Sequence, residues 1–271
     1  MKLMNEKEFK NELVNILVEF DKICSDNNID YSLIGGSLIG AIRHKGIIPW
    51  DDDIDVIMTK ENYDKLLSIV DNYKDNDICF INNNINSEYY YPFLKMINKK
   101  TYIDEKYKKI KDYGIYLDIF YYVDLPEKGL KRNFFWKKIQ YYKFLISGYA
   151  MDMNTFDIKS KKCIVKLIGK IISKFYGPKK IIKKYSKHIN KYNKNNSNEV
   201  MGCWPCYKLN KETQKKDNIK EYILTEFEKH QIKIFKNYDS ILKTTFNDYM
   251  KLPKEEDRVN HGTIAYWIGQ D

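Results

Sequence analysis

At 271 residues, with 43% hydrophobic and 31% charged side chains, the chain has a globular composition, not a disordered one, and is long enough to bury a large core. Lys and Arg outnumber Asp and Glu by 47 to 37, a net +10 that suits nucleic acid, anionic lipid headgroups or phosphorylated glycans without choosing among them. Every apolar run falls far short of the about 18 residues of a membrane span, MKLMNEKEFKNELV lacks the apolar stretch of a signal peptide, and five scattered Cys fit a reducing compartment.

Phe9, Leu13, Ile16, Leu17 and Phe20 recur at mostly three- to four-residue spacing, which predicts an amphipathic helix over 6–27. Ile29–Ile34 reads as a short strand, followed at once by Gly35-Gly36-Ser37 and one or two helical turns over Leu38–Arg43. His44–Pro49 is a loop, since Pro49 opposes further helix. Asp53–Met58 alternates acidic and apolar side chains as a half-buried strand does, and Glu61–Val70 is a short helix. An Asn-rich stretch, 72–86, surrounds the apolar run Ile78–Ile81. Strands are expected at Tyr91–Ile97, Thr101–Ile103 and Gly114–Val123, the last with Asp118 in its middle. Helices are expected at 127–148 and 158–175, with Gly177-Pro178 as a break and a further helix over 179–190. The last third mixes short strands around 221–235, a helix near 238–248 and a polar tail.

The densest chemical signal is LIGGSLIGAIRHKGIIPWDDDIDV, residues 33–56. Residues two apart on a strand share a face, so Asp53 and Asp55 repel each other unless a cation lies between them. Hard carboxylate oxygens suit Mg²⁺ or Mn²⁺. Asp51 and Asp52 are either loop ligands or surface charge. Asp118, among Ile115, Leu117, Ile119 and Phe120, is expensive to bury alone. It is accommodated either by meeting Asp53 and Asp55 across adjacent strands or by pairing with a Lys. Gly35 and Gly36 permit close backbone approach to a phosphate, the following helix offers free N–H groups, and Ser37 adds a hydroxyl. Arg43 and Lys45 are placed to pair with phosphate or with the carboxylates. His44 is either a structural residue or a base. A strand, a Gly-Gly-Ser turn, an Asp-x-Asp strand and a later third Asp form the arrangement of a nucleotidyltransferase palm, in which metals bridge phosphates and activate a hydroxyl.

The run GGSLIGAIRHKGIIPWDDDIDV resembles the signature of the LicD family of phosphotransferases. Many of these move a phosphorylated alcohol, typically phosphocholine from CDP-choline, onto a cell-surface glycan; the related fukutin-type enzymes use CDP-ribitol. Lys95 and Thr101, Leu117-Asp118-Ile119-Phe120, Phe227, Tyr238-Asp239, Leu242, Leu252-Pro253, Arg258 and His261 resemble later parts of the pattern. The chain departs from it at Phe246-Asn247, where a Tyr-Gly pair is usual, and at Phe235, where a Pro is expected. The resemblance implies an α+β fold with a nucleotidyltransferase-like mixed sheet, flanking helices and a helical C-terminal part. It implies a catalytic core over 1–125 and a mostly helical acceptor- and alcohol-binding region over 126–271. Asp53, Asp55 and Asp118 become metal ligands and catalytic residues; Gly35, Gly36, Ser37, Arg43 and Lys45 bind phosphate; Asp51, Asp52, His44, Lys95, Arg258 and His261 are secondary candidates. The implied donor is a CDP-activated alcohol, choline first, with ribitol or glycerol as alternatives. The implied acceptor is a glycan or its lipid-linked precursor, which places the protein in the cytoplasm, with a peripheral contact at the inner face of the membrane. A nucleotidyltransferase moving NMP from an NTP is the competing chemistry. No nucleic-acid partner is expected, because no stacking platform with flanking basic residues is evident.

Two further signals stand outside that pattern. Cys203-Trp204-Pro205-Cys206 reads as ordinary packing or as half of a zinc site completed by His188, His230 or Cys163. The aromatic, Lys-bearing run Phe134–Phe144 reads as packing or as a helix lying on a membrane surface. Trp204, Tyr207, Trp136, Tyr141, Tyr142 and Trp267 are rings of the kind that bind a quaternary ammonium.

Overall fold

A computed structural model describes residues 1–73, 77–105, 110–152, 162–193, 197–260 and 262–269, with the side chains of 162–166 outside that description. A short strand, β1 (Lys2–Leu3), leads into helix α1 (Glu6–Asp26). Asn5 starts α1 by a reciprocal cap: its side chain accepts from the Glu8 N–H and the Glu8 carboxylate accepts from the Asn5 N–H, both at 2.9 Å. Phe9, Leu13, Ile16, Leu17, Phe20 and Ile23 form its buried stripe.

After β2 (Ser32–Leu33), helix α2 (Gly35–Ile39) begins at Gly35, earlier than the Leu38 start expected. Gly35 has φ +61°, a conformation open to glycine that swings the chain from strand straight into helix. The helix runs on as a wider π turn, Gly40–His44. Here Gly40 has to lack a Cβ, because one would stand 2.4 Å from the Gly46 carbonyl oxygen of the returning loop. Then come β3 (Asp55–Met58), α3 (Lys60–Val70, capped by Thr59), β4 (Ile78–Ile81), β5 (Leu94–Asn98), β6 (Thr101–Asp104) and β7 (Tyr116–Asp124). Strand β5 starts at Leu94 and not at Tyr91, since Pro92 has no N–H to give a ladder.

Helices α4 (Leu130–Ala150), α5 (Lys162–Tyr176) and α6 (Pro178–Ile189) follow, with α5 and α6 divided at Gly177-Pro178 as expected. Residues 158–161 of the expected helix lie outside the described residues. The chain ends through β8 (Glu199–Gly202), α7 (Leu209–Glu212), β9 (Gln214–Lys215), β10 (Tyr222–Phe227), β11 (His230–Phe235), α8 (Tyr238–Phe246) and β12 (Ile264–Trp267).

The central sheet runs β2-β3-β7-β5-β4, with β8 on the far end of β7 and β9 on β8. Only β3 and β7 are parallel; the other pairs are antiparallel. A smaller sheet, β1-β12-β6, and the β10–β11 hairpin flank it. The fold is therefore α+β with a central mixed sheet, flanking helices and a helical segment in its C-terminal half. Residues 130–189 carry that helical segment. Beyond it, β8 and β9 rejoin the central sheet and β12, inside the expected polar tail, pairs with β1 and β6. One main core cluster spans Met4 to Ala265, so the C-terminal strands and the strands of the central sheet share a single interior.

Candidate active site

Strand β7 alternates. Leu117, Ile119 and Tyr121 are buried in the core, while Tyr116, Asp118 and Phe120 point to the opposite face. On that face β7 is flanked by Asp53 and Asp55 from the β3 side and by Tyr91, Phe93 and Lys95 from the β5 side. The registers are direct: Asp55 lies opposite Asp118 across the parallel β3–β7 pair, and Lys95 lies opposite Asp118 across β5–β7. Asp118 therefore stands between the acidic strand and a lysine: the register sets it beside Asp55, and its ion pair is with Lys95. Lys95 Nζ is 2.6 Å from Asp118 Oδ1, with side chains only 2% and 14% exposed. Four rings surround the ammonium: Tyr116 at 3.2 Å, Tyr91 at 4.9 Å, Tyr113 at 5.7 Å and Phe93 at 5.8 Å.

This face floors a cleft of about 1040 Å³. Gly35, Gly36, Arg43, Trp50 and Asp51 line one wall; Trp204, Cys206, Tyr207 and Phe246 line another; residues of 248–263 close the rim. The absence of a Cβ at Gly36 makes room for a neighbouring side chain. A Cβ there would stand 2.4 Å from Asp51 Oδ2, so the Asp51 carboxylate occupies the space above the turn. Ser37 is buried and accepts the Asp55 N–H at 2.9 Å, tying the start of α2 to the acidic strand. It is not among the cleft-lining residues. Asp52 turns outward and accepts the Thr263 N–H at 3.2 Å, which fastens the C-terminal segment to the acidic turn.

Arg43 lines the cleft but spends its guanidinium on the chain, donating to the carbonyls of Tyr249 (2.7 Å) and Lys251 (3.3 Å). Burial and the neighbouring Arg258 hold its pKa below the usual range. Arg258 donates to the Pro253 carbonyl at 3.0 Å and stacks over Trp50 at 5.1 Å. The His44 ring packs edge-on against Trp50 at 5.9 Å and faces Arg43 Nε at 3.4 Å; burial and Arg43 keep it below its normal pKa. That is the structural alternative for His44, outside the cleft lining. Lys45 is exposed at the end of the π turn with φ +60°, and also lies outside the lining. His261 lies outside the described residues.

Burial pushes the Asp55 carboxyl well above the ordinary range, reinforced by Asp53 and Asp118. Burial likewise raises Asp118, to about 6, against the opposing pull of Lys95. Closely spaced buried carboxylates of this kind call for a positive charge, and hard oxygen donors match Mg²⁺ or Mn²⁺. As placed, no three His, Cys, Asp or Glu side chains among the described residues are gathered for one ion; Asp118 is held by Lys95 instead. The donor set fits a divalent cation in chemistry and in strand register.

Two contacts, those of Glu105 and Glu228, carry no local sign in the sequence. Glu105 accepts the Tyr116 hydroxyl at 2.6 Å. Glu228, at the tip of the β10–β11 hairpin, accepts the Ile47 N–H at 3.0 Å and donates its own N–H to the Lys45 carbonyl at 2.8 Å, clamping the loop before the acidic cluster. Cys203 is buried with its N–H bonded to the Tyr121 carbonyl, whereas Cys206 faces the cleft. Nε2 of His188 lies 3.1 Å from the Phe135 carbonyl oxygen. Among the described residues these groups form no zinc site.

Comparison with known proteins agrees with this geometry. The family profile described as "LicD/FKTN/FKRP, nucleotidyltransferase domain" matches residues 28–147, which include every strand of the carboxylate face. The Haemophilus influenzae protein named lipopolysaccharide cholinephosphotransferase LicD is 30% identical over 294 residues, covering 96% of this chain and 97% of the relative. A Rickettsia prowazekii protein, RP689, is 36% identical over 62 residues, 23% of each chain. With the alignment to the first relative running nearly end to end, and the glycine turn and acidic strand converging on one cleft, the chain belongs to the LicD family and is a phosphotransferase of that type.

Proposed function

We propose that the protein transfers phosphocholine from CDP-choline to a sugar hydroxyl of a cell-surface glycan or its lipid-linked precursor, releasing CMP at the inner face of the membrane. The observation that carries this reading is the make-up of the cleft: the carboxylates of Asp53, Asp55 and Asp118 and a set of aromatic rings line the same cavity. A quaternary ammonium offers no N–H, so recognition falls to aromatic faces. Phe93, Trp204, Tyr207 and Phe246 supply them, with Phe93 and Trp204 at 6.1 Å and Tyr207 and Phe246 at 5.4 Å. The name of the Haemophilus relative, a lipopolysaccharide cholinephosphotransferase, supports phosphocholine as the group transferred.

In this reading the acceptor oxygen forms a bond to the phosphorus nearest choline. The bond from that phosphorus to the bridging oxygen breaks, and its electron pair leaves on CMP. The acceptor proton passes to the Asp118 carboxylate or to water. Lys95 favours the ionised form of that carboxylate against the effect of burial and fixes it between the strands. Gly35, with no side chain, lets the diphosphate approach the turn, while the space above Gly36 is held by the Asp51 carboxylate. Asp53, Asp55 and Asp118 would hold Mg²⁺ or Mn²⁺, which when bound neutralises the diphosphate and favours ionisation of the acceptor hydroxyl. The test is a screen of CDP-choline, CDP-ribitol, CDP-glycerol and NTPs with Mg²⁺ or Mn²⁺. CMP release from CDP-choline supports the assignment. CMP release from CDP-ribitol or CDP-glycerol alone changes the alcohol, and pyrophosphate release from NTPs alone overturns the chemistry.

A further inference from the structure

The positive charge is concentrated in one stretch. Residues 158–198 contain 13 Lys and no Asp, Glu or Arg; set against the net +10, the rest of the chain sums to 10 − 13 = −3. Helices α5 and α6 occupy most of that stretch and present complementary halves of one surface. On α5, Ile168, Ile171 and Phe175 fall at i, i+3 and i+7, a single stripe, and are 48%, 51% and 87% exposed. The other side of α5 is seated: Ser173 is fully buried, and a Cβ on Gly148 of α4 would stand 2.4 Å from the Gly169 carbonyl carbon. Such close helix contact fixes which stripe faces outward. On α6, Ile181, Ile182, Tyr185 and Ile189 are buried, while Lys179, Lys180, Lys183, Lys184 and Lys187 are exposed. Phe175 lies in the last turn of α5, next to Lys174 in the chain and ahead of Lys179 and Lys180 across the Gly177-Pro178 turn.

Exposed apolar side chains rimmed by lysine, with no carboxylate in the segment, match an interfacial helix pair on an anionic bilayer. Nucleic acid would reward the lysines but not the exposed aliphatic stripe. Among the described residues no helix is long and apolar enough to cross a membrane, so the contact is with a surface. Of the Phe134–Phe144 run of α4, read as packing or as a membrane-surface helix, Phe135, Ile139 and Tyr142 are buried while Phe134 and Tyr141 are exposed. We propose that α5 and α6 dock the protein on an anionic phospholipid bilayer, with Ile168, Ile171 and Phe175 entering the headgroup–acyl boundary and the α6 lysines meeting the lipid phosphates.

The test uses the full chain in sedimentation with phosphatidylcholine vesicles and with vesicles of phosphatidylcholine mixed with phosphatidylglycerol. Binding is expected only to the mixed vesicles and is weakened by salt. Ile168→Ser, Ile171→Ser and Phe175→Ser together lower it at least about tenfold. Each Lys→Gln exchange on α6 lowers it about fivefold. Circular dichroism of each variant verifies folding, and turnover of a water-soluble acceptor stays unchanged. Equal binding to both vesicle types, no binding to the mixed vesicles, or indifference to the triple Ser variant overturns the proposal. So does retention of short duplex DNA in place of vesicles, which would make this a nucleic-acid surface. Vesicle sedimentation needs no turnover, so its outcome is separate from the choice of donor.

Discussion

The clamp between the hairpin tip and the loop ahead of the acidic cluster makes a quantitative prediction. Glu228 Oε1 accepts the Ile47 N–H at 3.0 Å, and a Cβ on Gly46 would stand only 2.1 Å from that oxygen and 2.6 Å from the carboxylate carbon. Ile47 is buried, so its N–H has little recourse to water once the carboxylate is gone. A hydrogen bond to a charged acceptor is worth about 1.5–3 kcal/mol. Glu228→Ala is therefore expected to cost about 2 kcal/mol. Gly46→Ala evicts the same carboxylate and loses the same bond. Gly46 is not one of the positive-φ glycines, so alanine there recovers about 0.4–1 kcal/mol through the unfolded chain. In the double variant nothing remains to clash. Its cost is expected to be about 1–2 kcal/mol, well below the roughly 3–4 kcal/mol sum of the singles, a coupling of about 2 kcal/mol. Urea denaturation midpoints of the four proteins measure it. Costs that add to within about 0.5 kcal/mol would refute the clamp as described.

Asn247 ends α8 at φ +61°, ψ −110°, a conformation suited to glycine, so Asn247→Gly should raise stability by about 1 kcal/mol, read as a shift in the urea midpoint. Tyr207→Ala should raise KM for CDP-choline by roughly 2–30-fold with little change in kcat, and leave KM for CDP-glycerol unaltered, as steady-state kinetics with the two donors will show. The raised Asp55 and Asp118 carboxyls keep protons in the folded state that the unfolded chain releases. In metal-free buffer, stability should therefore fall as pH rises from about 4 through about 6. Asp118→Asn should flatten that slope, and Mg²⁺ should raise the melting temperature more at pH 7.5 than at pH 5.

What the sequence made legible was local. The placing of Asp118 inside an apolar strand follows from strand geometry, and β3 pairs with β7 in the register that sets Asp55 opposite Asp118; the strand expected from Asp53 begins at Asp55, so Asp53 joins the same cleft from the loop just ahead of it. The glycine turn was legible as a close approach, although the group occupying the space above Gly36 is Asp51. What stayed hidden depends on contacts between distant segments. Arg43 looks like a phosphate ligand beside the glycine turn, yet its partners are carbonyls 206 and 208 residues away. Glu228 and Ile47 are 181 residues apart. The rings around Lys95 come from Tyr91, Phe93, Tyr113 and Tyr116, split between two segments. Strand β12 is only four residues long and is specified by its neighbours β1 and β6 more than by its own pattern. At the Phe246-Asn247 departure the backbone of Asn247 has φ +61° and ψ −110°, a conformation that suits the glycine of the family pattern.

The central claim is that Asp53, Asp55 and Asp118 form one metal-dependent phosphotransfer site facing an alcohol pocket. Its most direct test is Mg²⁺-dependent CMP release from CDP-choline by the wild type, Asp55→Asn and Asp118→Asn, each shown to be folded. The account predicts release by the wild type, abolished by chelation, and a loss of about a hundred- to a thousandfold in either variant. CMP release that survives both substitutions, or that is indifferent to the divalent cation, would contradict it.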